Sequence, residues 1–402
     1  MKKGLTILSM LLSVLLLASV ALAGGTIKIG VVEPLSGTFK DVGDRYLEGV
    51  KYAAKMINQN GGLLGKKVEV IPMDSELKPA VAVRKATKMI MKDGVKFFMG
   101  GTGSSVGGAM AVLAAKKNAI MVTYGMEAAS MTGEKCCRNF FRTCANSDNH
   151  SYALANWVAE SGYKKVFCIA QDYSFGQQAT QAFLDKLKEL DPSIEIVGKV
   201  MHPIGTKDFA PYVSQIIAAK PQVVFTPNWG SDLTLLLKQA KPLGLKAKFA
   251  CYFLNDENAI TAVSNDEAVI GSVTAETYMV TIPTEANQKF VAQFKKSEGY
   301  YPTWLRGKAY LAANFLFKAI EKAGTTDVDK VISAWEGLVY DSPAGKMTMR
   351  ACDHQNQTPV WIAEIVKDNP YFKHAYVGKA LEVAPDKIAV PCAKTGCKGL
   401  GR

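Results

Sequence analysis

The stretch that decides the fold runs from Ile27 to Asp74 and begins IKIGVVEPLSG over residues 27–37. Its first apolar run is typical of a strand that is buried on both faces of a sheet. Apolar residues then recur at helical spacing from Leu47 to Ile57, and the sequence NGG at 60–62 ends that helix. A second strand is predicted over 68–73. Strand, helix and strand in this order predict an α/β fold.

The same alternation continues along the chain, which predicts parallel sheets. In the first block we expect helix 79–90, strand 95–99, helix 105–116 and strand 119–123. A second block begins near Asn146, with strands 164–170, 194–200, 222–226 and 248–254 and helices 176–190, 208–219 and 231–240. Residues 271–402 are richer in helix, with helices 285–298, 305–323 and 327–337 and a strand over 361–366. Two blocks of similar size predict two lobes.

The residues before this fold have the three parts of a secretion signal. Lys2 and Lys3 supply the positive start, residues 5–20 are apolar apart from Ser and Thr, and Ala21-Leu22-Ala23 supplies small residues for cleavage. No cysteine lies near the cut, so lipid attachment there is not expected. No other apolar run approaches the ~20 residues that span a bilayer. We therefore expect a signal peptide cleaved after Ala23 and a soluble protein outside the cytoplasm, in the periplasm.

Size and charge narrow the class of protein further. The 379 residues after Ala23 are more than one hydrophobic core usually serves, which again predicts two lobes. Loss of Lys2 and Lys3 lowers the net charge from +12 to +10. The basic residues alternate with acids along the chain, and basic clusters interleaved with aromatic residues are absent. A solvated surface is therefore expected, without nucleic-acid binding.

All eight cysteines follow the signal, where an oxidising compartment permits disulfides. Cys168 and Cys251 lie in predicted strands and are expected to be buried thiols or to form one bond between neighbouring strands. A bond from Cys352 to Cys392 or Cys397 would fix the C-terminal tail, and the pairing among these, Cys136, Cys137 and Cys144 stays open. The cysteine spacing and the scattered histidines do not predict a metal site.

Ligands of such sheets bind beyond the carboxyl ends of the strands. The loop over residues 100–105, GGTGSS, follows a strand and opens a helix, so its small residues and backbone N–H groups could approach an anion. The alternative is a tight turn that needs glycine dihedral angles. Further candidate loops at this edge are residues 35–42, 124–130, 172–175, 227–232 and 252–256.

Several motifs together resemble the periplasmic solute-binding proteins of the branched-chain amino acid family, the type I binding proteins that feed ABC transporters. The opening IKIGVVEPLSG carries the first match. The others are GDRYLEGV (43–50), INQNGG (57–62), DYSFG (172–176), KDF (207–209), QAKPLGLK (239–246) and DHQ (353–355). The resemblance covers essentially the whole chain after the signal.

The resemblance implies two doubly wound, parallel-sheet lobes joined by a hinge of three crossovers, with the ligand held between them. The expected divisions are 24–145 plus about 275–352 for the N-terminal lobe, 146–274 plus about 353–390 for the C-terminal lobe, and a basic tail over 391–402. The implied partners are a small amino-acid-like solute and a membrane permease, without a cofactor or direct membrane insertion. The implied site residues are Ser104 and Ser105 for a ligand carboxylate, Gly125 and Glu127 at the next strand end, and Phe175, Trp229 and Phe253 in the second lobe.

The chain departs from the family pattern at the ammonium subsite. Phe253 stands where the family has an acidic residue, and Glu127 beside the carboxylate subsite would repel an anion unless it is protonated or paired. Either Glu127 holds the ammonium group, or the ligand is not a standard amino acid. Tyr124, Tyr173 and the three aromatic residues of the second lobe would then form an aromatic-walled pocket for an aromatic acid or an amide. The alternative is that these rings belong to the lobe cores.

Two other classes of function, an enzyme and a receptor, have less support in the sequence. The loop over residues 101–107 resembles a dinucleotide-binding fingerprint, with Glu127 after the next strand, but it follows the third strand rather than the first. The histidines have no evident partners in the sequence for nucleophilic catalysis. An enzyme is therefore not expected. The absence of a later membrane span argues against a one-chain receptor, although a separate sensor could receive the ligand.

Overall fold

The described part of the chain comprises residues 25–263 and 269–400 of a computed structural model. The predicted signal peptide, residues 1–23, lies outside the described residues. Among the helices of the described ranges, none combines the length and the apolar character that crossing a membrane requires.

The first sheet is wholly parallel, as the alternation predicts. Its strands are hydrogen-bonded in the order β2-β1-β3-β4-β5, a doubly wound arrangement in which the chain first moves to one side of β1 and then to the other. The strands are β1 (Thr26–Glu33), β2 (Lys67–Asp74), β3 (Phe97–Gly100), β4 (Ile120–Thr123) and β5 (Phe140–Arg142).

The helices of this part begin and end where the sequence indicates. Pro79 occupies the first turn of its helix, where a missing N–H costs nothing, and Gly94 ends that helix in the left-handed conformation with φ of 67°. The helices are α1 (Lys40–Gln59), α2 (Pro79–Asp93) and α3 (Ser104–Lys116).

The second block of the chain repeats the alternation. Its first helix is held by a capping box in which the side chains of Asn146 and Asn149 each accept from the other's backbone N–H. The helices are α4 (Ser147–Glu160), α5 (Ser174–Leu190), α6 (Ala210–Ala219), α7 (Gly230–Ala240) and α8 (Glu257–Ala262). The strands are β6 (Lys165–Gln171), β7 (Glu195–His202), β8 (Val223–Thr226), β9 (Lys248–Cys251) and β10 (Val273–Glu276).

The last third of the chain returns to the first block and then to the second. Its helices are α9 (Glu285–Glu298), α10 (Trp304–Ala323) and α11 (Val328–Trp335), and α10 packs closely along α1. A small antiparallel sheet follows, made of β11 (Val339–Ser342), β12 (Gly345–Met349) and β13 (Asn356–Gln357). The chain ends through β14 (Val360–Val366), β15 (Tyr376–Val377), β16 (Leu381–Val383) and α12 (Pro385–Ile388).

The second sheet is parallel in its centre and antiparallel at one edge. Its order is β7-β6-β8-β9-β10-β14-β15, and β16 also pairs with β14. The pairings of β14 with β10, β15 and β16 are antiparallel. The prediction of parallel pairing is therefore wrong at this edge. The chain reaches β14 from the first block, and not through a helical crossover that begins on the same sheet.

The chain passes between the two sheets three times: after β5, after β10 and between β13 and β14. We call β1–β5 with α1–α3 and α9–α11 the first lobe, and β6–β10 with α4–α8 and β14–β16 the second lobe. The predicted class, an α/β fold of two lobes built on parallel sheets, is confirmed. The residue boundaries given from the sequence stay a prediction.

Two disulfides fix the C-terminal tail to the first lobe. They join Cys136 to Cys397 and Cys352 to Cys392. The second bond is one of the two pairings that the sequence left open for Cys352. Cys168 and Cys251 are buried free thiols and are not bonded to each other, and Cys137 and Cys144 are also free.

Candidate functional site: an aromatic pocket between the lobes

A pocket of about 340 Å³ lies between the two lobes, where the carboxyl ends of both parallel sheets meet. Loops after β3 and β4 and the helices α1 and α10 line it from the first lobe. Loops after β6, β8 and β9 line it from the second lobe. The lining residues are Val42, Tyr46, Gly101, Thr102, Gly125, Tyr173, Phe175, Trp229, Phe253 and Trp304.

Aromatic side chains form most of the wall, and they hold one another in place. Phe253 and Trp304 stack with ring centroids 4.9 Å apart, so one ring from each lobe meets at this side. At the other side, the Trp229 indole Nε1 donates to the Tyr173 hydroxyl at 2.9 Å. Phe39, which precedes α1, packs against Trp229 with centroids 4.6 Å apart. The rings therefore enclose a largely apolar space between the lobes.

Two glycines of the first lobe let Tyr46 enter the pocket. A Cβ atom at Gly125 would lie 2.1 Å from the Tyr46 hydroxyl oxygen, and one at Gly101 would lie 2.6 Å from the Tyr46 ring. Such distances are too short for any real contact. The glycines predicted as part of an anion-binding loop thus also make room for an aromatic side chain.

A buried carboxyl group lies directly beneath the loop after β3. Glu33, the last residue of β1, accepts from the backbone N–H of Gly101 at 2.6 Å, from the Thr102 hydroxyl at 2.5 Å and from the Tyr124 hydroxyl at 2.7 Å. Complete burial raises the pKa of Glu33 to about 8, although these donors oppose the rise. Glu33 therefore occupies donors that a ligand carboxylate would otherwise use.

Glu127 lies in a buried ion network rather than on the pocket wall. Its carboxylate oxygens contact the Lys308 ammonium at 2.7 Å and the His150 Nδ1 at 2.9 Å, and Lys308 also contacts Glu276 at 2.5 Å. Burial opposes the charge on Glu127, but Lys308 and His150 outweigh it and hold the pKa of Glu127 below its ordinary value. The role of Glu127 as the partner of a ligand ammonium group stays a prediction.

The same cluster has the geometry of a metal site but already holds a cation. Ligand atoms of Glu127, His150 and Glu276 lie within 4.8 Å of one another. The ammonium of Lys308 contacts both carboxylates, and they raise its pKa well above the ordinary value despite burial. These residues therefore form a buried ion network between α10 of the first lobe and α4 and β10 of the second lobe.

The two serines predicted to hold a carboxylate open onto a different surface. Ser104 and Ser105 line a groove along the exposed side of α3, together with Ser130 and Ser174. The Ser104 hydroxyl accepts from the backbone N–H of Ala128 at 3.2 Å. Tyr124 is fully buried behind the pocket and packs against Tyr46 at 4.8 Å between centroids. The ligand-binding roles of these three residues stay predictions.

The structure thus brings together part of the predicted set and adds residues that the sequence analysis missed. The predicted residues on the pocket wall are Gly125, Tyr173, Phe175, Trp229 and Phe253. Val42, Gly101 and Thr102 also lie on the wall, and they fall within the candidate loops 35–42 and 100–105. The residues missed are Glu33, Tyr46 and Trp304. Two of these could have been found from the sequence. Glu33 is an acid at the end of an apolar strand, and Trp304 is the first residue of a long helix.

Comparison with known proteins agrees with this architecture. The family model described as "Periplasmic binding protein" matches residues 26–370, and the chain belongs to that family. A curated relative named Leu/Ile/Val-binding protein homolog 4, from Brucella abortus, is 31% identical in an alignment of 379 positions that covers 87% of this chain and 88% of the relative.

Solved structures with the same fold include proteins that are named for, or are in complex with, two different kinds of ligand. The closed form of a leucine-, isoleucine-, valine-, threonine- and alanine-binding protein from Brucella ovis has a TM-score of 0.81 and 28% identity, over 91% of this chain and 97% of that one. A solute-binding protein of an ABC transporter from Rhodopseudomonas palustris HaA2, in complex with p-hydroxybenzoic acid, has a TM-score of 0.79 and 25% identity, over 90% and 98%.

Proposed function

We propose that this chain is the extracytoplasmic solute-binding subunit of an ABC importer, which captures a small solute by closing two lobes around it. The observation that carries the proposal is the aromatic pocket, whose wall is shared between the lobes at the carboxyl ends of both sheets. A wall divided in this way favours closure, because the solute gains its full set of contacts only when the lobes meet.

The lining favours a flat, largely apolar solute. None of the described residues that line the pocket is acidic, while six of them are aromatic: Tyr46, Tyr173, Phe175, Trp229, Phe253 and Trp304. The nearby acid Glu127 is occupied by Lys308 and His150. An amide therefore suits the pocket better than an amino acid, whose ammonium group needs a counter-charge. An aromatic carboxylic acid also avoids the ammonium group, but its carboxylate would need donors other than those that Glu33 takes.

Amino acids remain the principal competing ligand class. A relative and a solved structure that carry branched-chain amino acids in their names support them, whereas the solved structure with p-hydroxybenzoic acid supports aromatic acids. With an amino acid as the ligand, Glu127 would have to exchange one of its present partners for the ammonium group.

Transport requires a second step beyond capture. We propose that the mature protein, after cleavage at Ala23, presents the closed pair of lobes to a permease in the inner membrane. The liganded form would then be recognised by the combined surface of both lobes. In this proposal the protein catalyses no reaction and needs no cofactor.

A thermal-shift screen tests solute capture. The protein, purified after export and then unfolded and refolded to remove carried-over ligand, is mixed with aliphatic and aromatic amino acids, small amides, urea and aromatic carboxylates. A ligand at 100 times its Kd adds about 2.7 kcal/mol to the free energy of unfolding, which raises Tm by at least a few degrees. We expect a hit among the aromatic acids or amides. A hit only among Leu, Ile or Val would contradict the proposed ligand class.

Replacement of Trp229 tests whether the hit binds in this pocket. Trp229 is buried, packs against the Phe39 ring of the first lobe and donates to the Tyr173 hydroxyl of the second lobe. Trp229→Ala should therefore weaken binding by roughly 2 kcal/mol or more in titration calorimetry. Trp157→Ala is the matched control, since Trp157 lies on α4 away from the pocket and packs against Tyr163. Equal affinities for the two variants would remove Trp229 from the site.

A further inference from the structure

A cluster of ion pairs crosses the edge of the cleft beside the pocket. Arg45 on α1 of the first lobe reaches two acids at the start of α8 in the second lobe. Its Nη1 lies 3.4 Å from Asp256 Oδ2 and 3.4 Å from Glu257 Oε2, and its Nη2 lies 2.7 Å from Asp41 Oδ2 on its own helix. One guanidinium thus joins the two lobes.

A second arginine repeats the connection from the neighbouring helix. Arg306 on α10 of the first lobe contacts Glu257 of the second lobe at 3.2 Å through Nη1. Its Nε is held by Glu48 of α1 at 2.6 Å, and its guanidinium lies 4.6 Å from the centre of the Tyr300 ring. The arginines are therefore fixed by the first lobe while they hold an acid of the second.

Asp256 connects this cluster to the pocket wall. The carboxylate oxygen that faces Arg45 also accepts from the Trp304 indole Nε1 at 3.3 Å. The other oxygen caps α8 by accepting from the backbone N–H groups of Asn258 and Ala259 at 3.0 Å each. Trp304 lines the pocket and stacks on Phe253. A single side chain thus contacts the interlobe arginine, a helix end and the aromatic wall.

Burial gives this contact more weight than an ordinary surface ion pair. The side chains of Arg45 and Asp256 are 6% and 3% exposed. Exposed pairs contribute little to stability, whereas loss of one partner from a buried pair leaves an uncompensated charge. If the lobes separate, all contacts from Arg45 and Arg306 to the second lobe break together, and Trp304 loses its acceptor.

We infer that Arg45 and Asp256 are positioning residues that determine solute affinity without touching the solute, because they hold the lobes together and fix the indole of Trp304. The pair acts as a latch for the closed arrangement. This inference rests on the proposed solute-binding function. It also explains why Asp256 and Glu257 are unavailable to a ligand. They are the acids nearest to Phe253, which stands where the family has the acidic partner of a ligand ammonium group.

The test compares Arg45→Gln and Asp256→Asn with the unmodified protein. The asparagine keeps the ability to cap α8, so a loss of that helix is avoided. Arg45→Lys serves as the conservative variant, since it keeps the charge. Lys40→Gln is the matched control, because Lys40 pairs only with Asp44 of its own helix and both side chains are exposed.

Two readouts separate the latch from the proposed function. The first is the radius of gyration of the refolded protein without added solute, measured by solution X-ray scattering. The second is the rate at which 4-hydroxybenzoate or L-leucine, whichever gives a thermal shift, dissociates in stopped-flow tryptophan fluorescence. Both substitutions should increase the radius and raise the dissociation rate about tenfold or more. Arg45→Lys should recover part of the loss, and Lys40→Gln should change neither quantity.

The outcomes are distinguishable. Equal radii for the unmodified protein and both variants would overturn the latch, whether or not a solute has been found. A solute that binds with an unchanged dissociation rate in both variants would overturn it while leaving the proposed function intact. An increased radius without any binding solute would support the latch and count against the proposed function.

Discussion

At the scale of single residues, Glu33 has the most unusual environment on the first-lobe side of the pocket. Its carboxyl group is fully buried at the end of β1, and three donors from the loop and from Tyr124 surround it. Burial raises the pKa of Glu33 to about 8, whereas its ordinary value is 4.5. The folded protein therefore keeps a proton that the unfolded chain releases over this range of pH.

This difference predicts how stability depends on pH. As the pH rises from about 4.5 to about 8, the unfolded chain binds fewer protons than the folded one, so the contribution of Glu33 to the free energy of unfolding falls. The loss is at most about 5 kcal/mol. Glu33→Gln removes the titration, while the amide oxygen can still accept from the Gly101 N–H and the Tyr124 hydroxyl. Relative to the unmodified protein, the variant should therefore gain stability between pH 5 and pH 8.5 in urea unfolding.

The control for this prediction is Glu69→Gln, which changes an exposed glutamate on the neighbouring strand β2. Its stability relative to the unmodified protein should not depend on pH in the same range. If Glu33→Gln showed the same difference from the unmodified protein at pH 5 and at pH 8.5, Glu33 would not be protonated in the folded state, and the account of its environment would be wrong.

Part of the site could be predicted at this scale because strand ends in a parallel sheet converge. Trp229 and Phe253 follow the ends of β8 and β9. Their positions after two predicted strands were therefore enough to predict that they lie at the pocket. Tyr46 and Trp304 reach it from helices, and nothing in local periodicity tells which face of a helix meets the other lobe. The pairing of Glu127 with Lys308 joins residues 181 positions apart and could not be read from either neighbourhood.

At the scale of elements, the packing of α1 against α10 determines how the first lobe supports the pocket. Both helices contribute pocket residues, Tyr46 and Trp304, and they approach each other at Gly49. A Cβ atom there would lie 2.2 Å from the carbonyl oxygen of Arg306. Gly49→Ala should therefore force the helices apart and lower the free energy of unfolding by about 1–3 kcal/mol.

The matched control is Gly108→Ala on α3, where a Cβ atom would meet nothing within 4 Å. Since alanine favours a helix interior over glycine by roughly 1 kcal/mol, this change should leave stability unaltered or increase it. Chemical denaturation of both variants measures the difference. Equal effects of the two substitutions would show that the close approach at Gly49 does not constrain the helix pair.

Most elements could be predicted because hydrophobic periodicity and end signals act locally. The helix over residues 285–298 begins after the cap Thr284 and ends at Gly299, and both signals are in the sequence. Short elements were missed: β5 has three residues, and β13 has two. Their existence depends on the neighbouring strand that they pair with, which is far away in the sequence.

At the scale of the whole molecule, two lobes were expected from length and from the repeated alternation. The return of the chain to the first lobe through α9–α11, and then back through β14, came from the family resemblance and not from any local pattern. The pairing of the cysteines could not be predicted from local patterns either. Cys136 and Cys397 are separated by 261 residues, and only the folded chain brings the tail against the loop that holds Cys136.

The central claim is that this protein closes its lobes around a small solute, and solution X-ray scattering tests it most directly. The refolded protein is measured with and without the compound that gives the largest thermal shift. Without solute the ion pairs between the lobes close only part of the population, and the pocket wall is completed only by contact between the lobes. The account therefore predicts that the radius of gyration of the unmodified protein falls further when the solute binds. Binding that leaves the radius unchanged would contradict capture by lobe closure.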